Sequence, residues 1–197
     1  FTRDEVFYGL KKDGTIEQRS LVNGDLINLL NQHPSQLTSL QFSPDSTILA
    51  AAYSDGLIRV YSSYNGELLG VLPGSATALR FSPGGSLLAA GLQDGIVRVF
   101  ELNNGRYSDL PIGHLDKITG LAFSNDGDKL FAGSLDCTIS LWSVEGRHRH
   151  WSLTTNRADP FQVSGIVQSP IDDSKYLFAD QYGLFQVNYP DIFSLIT

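Results

Sequence analysis

The sequence repeats one pattern four times, with a period of about forty residues. Phe42, Phe81 and Phe123 occupy equivalent positions, separated by steps of 39 and 42 residues. Each is followed by an Asp thirteen residues later and an aromatic residue nineteen residues later: Asp55, Asp94 and Asp136, then Tyr61, Phe100 and Trp142. A fourth copy, residues 166–188, aligns once two residues are inserted in its turn. Units of this length cannot bury an apolar face alone, so they must stack on one another.

Each unit predicts four short antiparallel strands, which we letter a to d in chain order. In the third unit, strand a is predicted at 118–123, b at 129–134, c at 138–144 and d at 149–153. Asn-Gly and Asp-Gly pairs supply the positive φ angles of tight hairpins, and Pro44, Pro83 and Pro170 lie in turns. No segment keeps a helical period with caps. The chain is therefore predicted to be all-β.

Four-stranded sheets arranged radially around a channel form a β-propeller, which leaves only short, protected strand edges. We expect a single propeller segment over residues 1–197, with about four and three-quarter four-stranded antiparallel blades. The predicted blades are 1–30 (partial), 33–72, 74–110, 114–153 and 161–197. Propellers close with four to eight blades, so we expect the segment to belong to a ring of about seven. Missing residues of a longer chain, a second chain or self-association would complete that ring.

Composition and charge limit the classes of partner. The formal net charge of −7 opposes the positive field that phosphate-backbone binding needs, so nucleic acid is not expected as a partner. The longest apolar runs are far shorter than the roughly 20 residues that span a bilayer, so membrane insertion is not expected either. Cys137 is the only cysteine, which excludes an internal disulfide and fits a reducing compartment. We expect a cytoplasmic location, with a nuclear one as the alternative.

The repeats resemble the WD-repeat (WD40) family, whose signature is a Gly-His before strand a, an Asp between b and c, and Trp-Asp at the end of c. The third unit matches best, with His114, Asp136 and Trp142, although Ser143 replaces the final Asp. The second unit keeps Asp94 and lacks the His. The period covers nearly the whole chain, while only the third unit carries the His, the Asp and the Trp together. The resemblance implies a β-propeller that acts in protein interactions.

Four residues of the third unit are expected to converge at one end of its blade: His114, Ser134, Asp136 and Trp142. Ser, His and Asp together also suit a hydrolase. No Gly-x-Ser-x-Gly turn surrounds Ser134, however, so neither an exposed nucleophile nor an oxyanion hole is indicated. The resemblance implies a structural tetrad instead, in which Asp136 accepts from the imidazole and backbone amides and Trp142 contributes its indole N–H. We therefore predict no catalytic residue and no enzymatic activity.

No cofactor or metal is expected. His148 and His150 alternate along one predicted strand, but two histidines without a nearby third ligand are a weak metal signal. The glycines are scattered through turns and do not form a phosphate-binding loop.

Function is expected in the loops that the sheets display. We predict a scaffold that binds proteins or peptides on the end of the blades carrying the d-to-a and b-to-c loops. The candidate partner-binding residues are Lys12, Gln36, Ser54, Gln93, Asp116, Lys117, Leu135, Phe161, Gln181 and Tyr182. The alternative for Phe161 is that it fills space in a degenerate tetrad.

Two other functions stay open at this point. The chain could be a sensor or regulatory propeller domain of a larger multidomain enzyme or signalling protein. It could also be a propeller enzyme acting at a central channel, which a His114→Ala variant with an intact fold and no turnover would identify.

Overall fold

The protein consists of antiparallel sheets in which strands that follow one another in sequence are neighbours. The computed structural model describes residues 6–11, 15–30, 35–111, 113–146, 148–154, 165–169, 175–180 and 183–188. Its strands form five sheets of three or four strands, and no described residue lies in a helix. Within the described ranges, accordingly, there is no helix long and apolar enough to cross a membrane. The all-β prediction is confirmed, and each sheet has the meander order of a propeller blade.

Two compact units make up the chain, Phe1–Ala76 and Thr77–Thr197. The first sheet of the first unit contains β1 (Val6–Leu10), β2 (Ile16–Ser20) and β3 (Leu26–Leu29). The second sheet contains β4 (Leu37–Phe42), β5 (Ile48–Tyr53), β6 (Leu57–Ser62) and β7 (Leu68–Pro73). The core between them consists of Ile16, Leu30, Leu49, Ala51, Tyr53 and Tyr61. Tyr53 is fully buried at the position that Ser134 occupies two repeats later, so its ring fills the space there.

The other three sheets follow in chain order. The third contains β8 (Ala76–Phe81), β9 (Leu87–Leu92), β10 (Val97–Glu101) and β11 (Tyr107–Asp109). The fourth contains β12 (Ile118–Phe123), β13 (Lys129–Ser134), β14 (Thr138–Ser143) and β15 (His148–Thr154). The fifth contains β16 (Gly165–Gln168), β17 (Lys175–Asp180) and β18 (Gly183–Asn188).

The predicted strands of the third repeat agree with the fourth sheet to within one residue. Strand c ends at Ser143, one residue before the predicted end, and strand d extends one residue beyond the prediction at each side. The remainder of the predicted fifth blade, including residues 161–164 and 189–197, lies outside the described residues.

Small side chains on strand b let neighbouring sheets approach closely. A Cβ atom at Gly91 in β9 would lie 2.3 Å from Cγ2 and 2.6 Å from Cβ of Ile118 in β12. The hydroxyl of Thr77 in β8 also donates to the Ile118 carbonyl at 2.5 Å. Leu130 and Trp142 of the fourth sheet share one buried cluster with residues of the third sheet. The two sheets are therefore stacked at side-chain contact distance, as the repeat length requires.

Candidate functional site

The polar residues of the third repeat meet at the end of the fourth sheet. His114 lies in the loop between β11 and β12, and Asp136 lies in the turn between β13 and β14. In an antiparallel meander these two connections are at the same end of the sheet. The His114 amide also donates to the Gly95 carbonyl in the third sheet at 2.9 Å. The loop is thereby fixed between two adjacent sheets.

Asp136 is the acceptor at the centre of this network. Its carboxylate accepts from the Leu115 amide at 2.7 Å, the Thr138 amide at 2.9 Å and the Thr138 hydroxyl at 2.6 Å. Nδ1 of His114 lies 3.3 Å from the carboxylate. Burial on its own would raise the pKa of Asp136, but these hydrogen bonds and the nearby imidazole hold that pKa below its ordinary value. The carboxylate therefore stays ionised and fixes both connections.

The imidazole of His114 contacts a hydroxyl on each side. Nδ1 lies 2.7 Å from Oγ1 of Thr138, and Nε2 lies 2.5 Å from Oγ of Ser140. The Thr138 hydroxyl donates its one hydrogen to Asp136, so it accepts from the imidazole, which places the proton on Nδ1. Nε2 pairs with the Ser140 hydroxyl, so both ring nitrogens are hydrogen-bonded in this arrangement.

Trp142 packs against the imidazole but donates its indole N–H elsewhere. The ring centroids of His114 and Trp142 are 5.7 Å apart in an edge-on arrangement. Nε1 of Trp142 donates to the Pro111 carbonyl at 3.4 Å. The tryptophan therefore ties the preceding loop to β14, whereas the tetrad interpretation gave its N–H to the polar network.

The two serines of this network have different partners. Ser134 donates to the Asp116 carbonyl at 2.8 Å and accepts from the Asp136 amide at 3.1 Å. Ser140 is the serine that lies on His114, because the ring reaches past the turn to a residue further along β14. Residues 138, 140 and 142 alternate onto one face of that strand, and this spacing is the sequence signal for Thr138 and Ser140.

Arginines occupy the Ser140 position in the two preceding sheets. Arg59 and Arg98 stand seventeen residues after their repeat's Phe, as Ser140 does. Arg59 pairs with Asp55 at 2.8 Å. Arg98 instead pairs with Asp109 on β11, at 2.6 and 2.9 Å. In the described residues of these two sheets, the same strand position thus supplies a charged pair.

The predicted partner-binding residues belong to the d-to-a and b-to-c loops, and backbone hydrogen bonds join one kind of loop to the other. In the first unit the Ser54 amide donates to the Gln36 carbonyl at 2.8 Å, and both residues are exposed. In the second unit the Leu135 amide donates to the Lys117 carbonyl at 3.1 Å in the equivalent bond. Gln93 and Asp116 are exposed as well. Four candidates lie outside the described residues: Lys12, Phe161, Gln181 and Tyr182.

Leu115 is a residue of this surface that the sequence analysis missed. Its side chain is 96% exposed, while its amide is held by Asp136. It lies beside Asp116 and Lys117, which are both exposed. The only sequence signal for Leu115 was its place directly after His114 in the loop between strands d and a. We define the loop face of the second unit as Gln93, Leu115, Asp116, Lys117 and Leu135.

The described residues contain no group of three or more His, Cys, Asp or Glu side chains that could hold a metal ion. The network around Asp136 is accounted for by protein donors.

Comparison with known proteins identifies the repeats. The family model "WD domain, G-beta repeat" (WD40) matches residues 24–62, 66–101 and 107–143, which is more than half of the chain. The third match contains His114, Asp136 and Trp142. No curated protein matches the sequence significantly.

Solved structures share the fold over nearly the whole chain. The crystal structure of the computationally designed Ika8 protein superposes with a TM-score of 0.79 at 25% identity, covering 95% of this chain and 57% of that one. A chain of the mitotic checkpoint complex superposes with a TM-score of 0.82 at 16% identity, covering 96% of this chain and 59% of that one. This chain therefore spans less than two thirds of the length of either structure.

Proposed function

The chain belongs to the WD40 repeat family, whose members act as protein-interaction scaffolds, and from this premise we propose that it binds a protein or peptide partner through the loop face of its second unit. In this proposal the sheets act as a rigid support, and the loops between them make the contacts. The observation that carries the proposal is the exposed Leu115, whose backbone is fixed by a buried network.

The exposure of Leu115 and its fixed backbone support it as the anchor of the interface. Side chains near the centre of an interface contribute most when they become fully desolvated and the contacts around them exclude water. Leu115 is apolar and almost fully exposed, and the next two residues, Asp116 and Lys117, are polar and exposed. Gln93, also exposed, lies two residues before Gly95, whose carbonyl accepts from the His114 amide. Lys117 and Leu135 are joined by a backbone hydrogen bond, so the two loops present their side chains together.

The network beneath the loop face preorganises it. The Leu115 amide donates to Asp136, and the Ser134 hydroxyl donates to the Asp116 carbonyl. Two consecutive residues of the loop are therefore fixed before any partner arrives. Binding then loses less conformational entropy than it would with a free loop.

Burial supports a non-catalytic role. The side chain of His114 is 2% exposed, and the side chains of Ser134 and Ser140 are buried. A nucleophilic serine must reach a substrate carbonyl, and neither hydroxyl is accessible to one. Both hydroxyls are also engaged in protein hydrogen bonds. The Ser, His and Asp groups are therefore proposed to stabilise the blade, and we propose no catalysis at this site.

The test compares two exposed leucines that lie on different surfaces. Affinity purification from cell extract with quantitative mass spectrometry is carried out on the natural chain and on two variants, Leu115→Glu and Leu69→Glu. Leu69→Glu is the matched control, because Leu69 is exposed on β7 in the first unit. A partner of the loop face is lost with Leu115→Glu and retained with Leu69→Glu. Its affinity, measured by calorimetry with the purified partner, falls by about tenfold or more. Identical partner sets for all three proteins would reject the proposal.

A further inference from the structure

A concave surface lies at the end of the third and fourth sheets opposite the loop face. A cleft of about 370 Å³ opens between them. Its lining comes from strands and turns of both sheets: Leu87, Val99, Glu101, Ser108, Gly127, Asp128, Val144 and Glu145. Residues 127 and 128 lie in the turn from strand a to strand b, and residues 144 and 145 lie in the turn from c to d. These turns are at the opposite end of the sheet from Leu115, so the cleft is separate from the loop face.

The floor of the cleft is apolar. Val99 belongs to the buried cluster between the two sheets, and Leu87 and Val144 pack against that cluster. The cleft is therefore the place where the inter-sheet core reaches the surface. An aliphatic chain placed there would extend this core.

The rim of the cleft carries one sign of charge. Glu101, Asp128 and Glu145 contribute carboxylates, and no Lys, Arg or His is among the lining residues. Glu101 accepts a hydrogen bond from the neutral side-chain amide of Asn104 at 2.7 Å. Within the described ranges, neither Asp128 nor Glu145 forms an ion pair with a basic side chain. The cleft thus combines an apolar floor with three negative charges.

We propose that this cleft binds a lysine or arginine side chain of a protein partner. Such side chains have an aliphatic stem that packs on apolar surface and a cationic head that stays at the polar edge. The stem fits the floor formed by Leu87, Val99 and Val144, and the head fits the carboxylates at the rim. The charge complementarity excludes an acidic ligand, and a purely apolar ligand would bury carboxylates without compensation. The protein would then hold partners at both ends of the same two sheets.

The test uses three acetylated and amidated hexapeptides, Gly-Ser-Leu-X-Ser-Gly, that differ only at X. Lysine carries both stem and charge, norleucine carries the stem alone, and diaminopropionic acid carries the charge on a short stem. Each is titrated at low salt into the ¹⁵N-labelled protein, and amide shifts are followed by NMR. We expect the lysine peptide to bind about tenfold more tightly than either of the others, with the largest shifts at Gly127, Asp128 and Glu145. Because the attraction is electrostatic, added salt weakens lysine binding and leaves norleucine binding unchanged.

Variants separate the cleft from the overall negative charge of the protein. Asp128→Asn/Glu145→Gln removes two charges from the rim, and Asp94→Asn/Glu67→Gln removes the same chemical groups from exposed sites away from the cleft. The rim variant should lose the preference for lysine over norleucine, while the control should keep it within about twofold. Equal affinities of the natural chain for the three peptides, equal losses in both variants, or shifts centred on Leu115 would each overturn the proposal. The last outcome would leave the loop face as the binding site, so the two proposals fail independently.

Discussion

Replacing Asp136 with alanine tests whether the polar network holds the blade together. The substitution removes the acceptor of three protein hydrogen bonds, from the Leu115 amide, the Thr138 amide and the Thr138 hydroxyl. It also leaves His114 with a buried imidazole beside a cavity, since that side chain is 2% exposed. The matched control is Asp94→Ala, at the same position of the preceding repeat, where the carboxylate is exposed and accepts one bond from the Ile96 amide at 3.2 Å.

The expected magnitude follows from the donors that lose their acceptor. A buried group left without a partner costs about 1–3 kcal/mol, and groups that water can reach cost less. Of the three donors to Asp136, the Thr138 pair is partly buried and the Leu115 amide is near solvent. We therefore expect Asp136→Ala to lower the free energy of unfolding by about 3 kcal/mol. Asp94→Ala loses one exposed bond, and we expect about 0.5 kcal/mol.

Urea denaturation followed by tryptophan fluorescence measures this difference. Both tryptophans belong to the fourth sheet, Trp142 in β14 and Trp151 in β15, so their emission reports unfolding of the affected blade. The midpoint should shift with little change in the slope of free energy against urea concentration. The double variant His114→Ala/Asp136→Ala should cost less than the sum of its single variants, because the two residues share one network.

Two results would refute the reasoning about the network. A loss at Asp94→Ala equal to that at Asp136→Ala would mean that position in the repeat, and not the hydrogen bonds, sets the cost. Strict additivity of the His114 and Asp136 substitutions would mean that the two side chains are not coupled.

Two further predictions concern packing and pH. Gly91→Ala should lower the free energy of unfolding by about 1–3 kcal/mol, because its new methyl group overlaps Ile118. The control Gly70→Ala, with no atom within 4 Å of the added Cβ, should leave the urea midpoint nearly unchanged. Equal shifts of the urea midpoint in the two variants would contradict the packing argument. Acidification should destabilise the protein through Asp136, whose pKa is lower in the folded chain than its ordinary 3.8. The stabilisation is complete above that ordinary value and is lost as pH falls through it towards the folded pKa, because the unfolded chain then binds the proton more tightly. Urea midpoints at pH 7 and pH 3.5 should therefore differ less for Asp136→Asn than for the natural chain, and equal pH dependence in the two proteins would count against this assignment.

Local sequence signals predicted most of the fold. Turn residues and alternation of apolar residues gave the strands of the fourth sheet to within one residue. The constant spacing of Asp and aromatic residues showed that the sheets are repeats of one unit. The same spacing led to the expectation that His114 and Asp136 meet, and their side chains lie 3.3 Å apart. The strands depend on residues a few positions apart, whereas His114 and Asp136 are 22 positions apart and meet because the antiparallel order of the strands places their two connections at one end of the sheet.

The details of the site depended on distances between segments. Ser134 and Ser140 are both serines of one hairpin, and only the depth of the His114 ring decides which hydroxyl it contacts. The Trp142 indole finds a carbonyl 31 positions earlier in the chain, which no repeat spacing indicated. Leucine side chains are usually buried, but that of Leu115 is exposed, because Asp136 fixes the Leu115 backbone amide. Nothing in the sequence shows that this side chain points to solvent.

The sequence by itself determined the repeating unit and its all-β strands. Turn chemistry and side-chain alternation act between near neighbours, so they can be read in one dimension. The tertiary structure decided which hydroxyl lies on the imidazole, which leucine faces solvent, and where three carboxylates surround an apolar cleft. Those outcomes depend on how closely separate sheets approach each other, as at Gly91 and Ile118, and sheet separation is set by the packing of side chains that are far apart in the sequence.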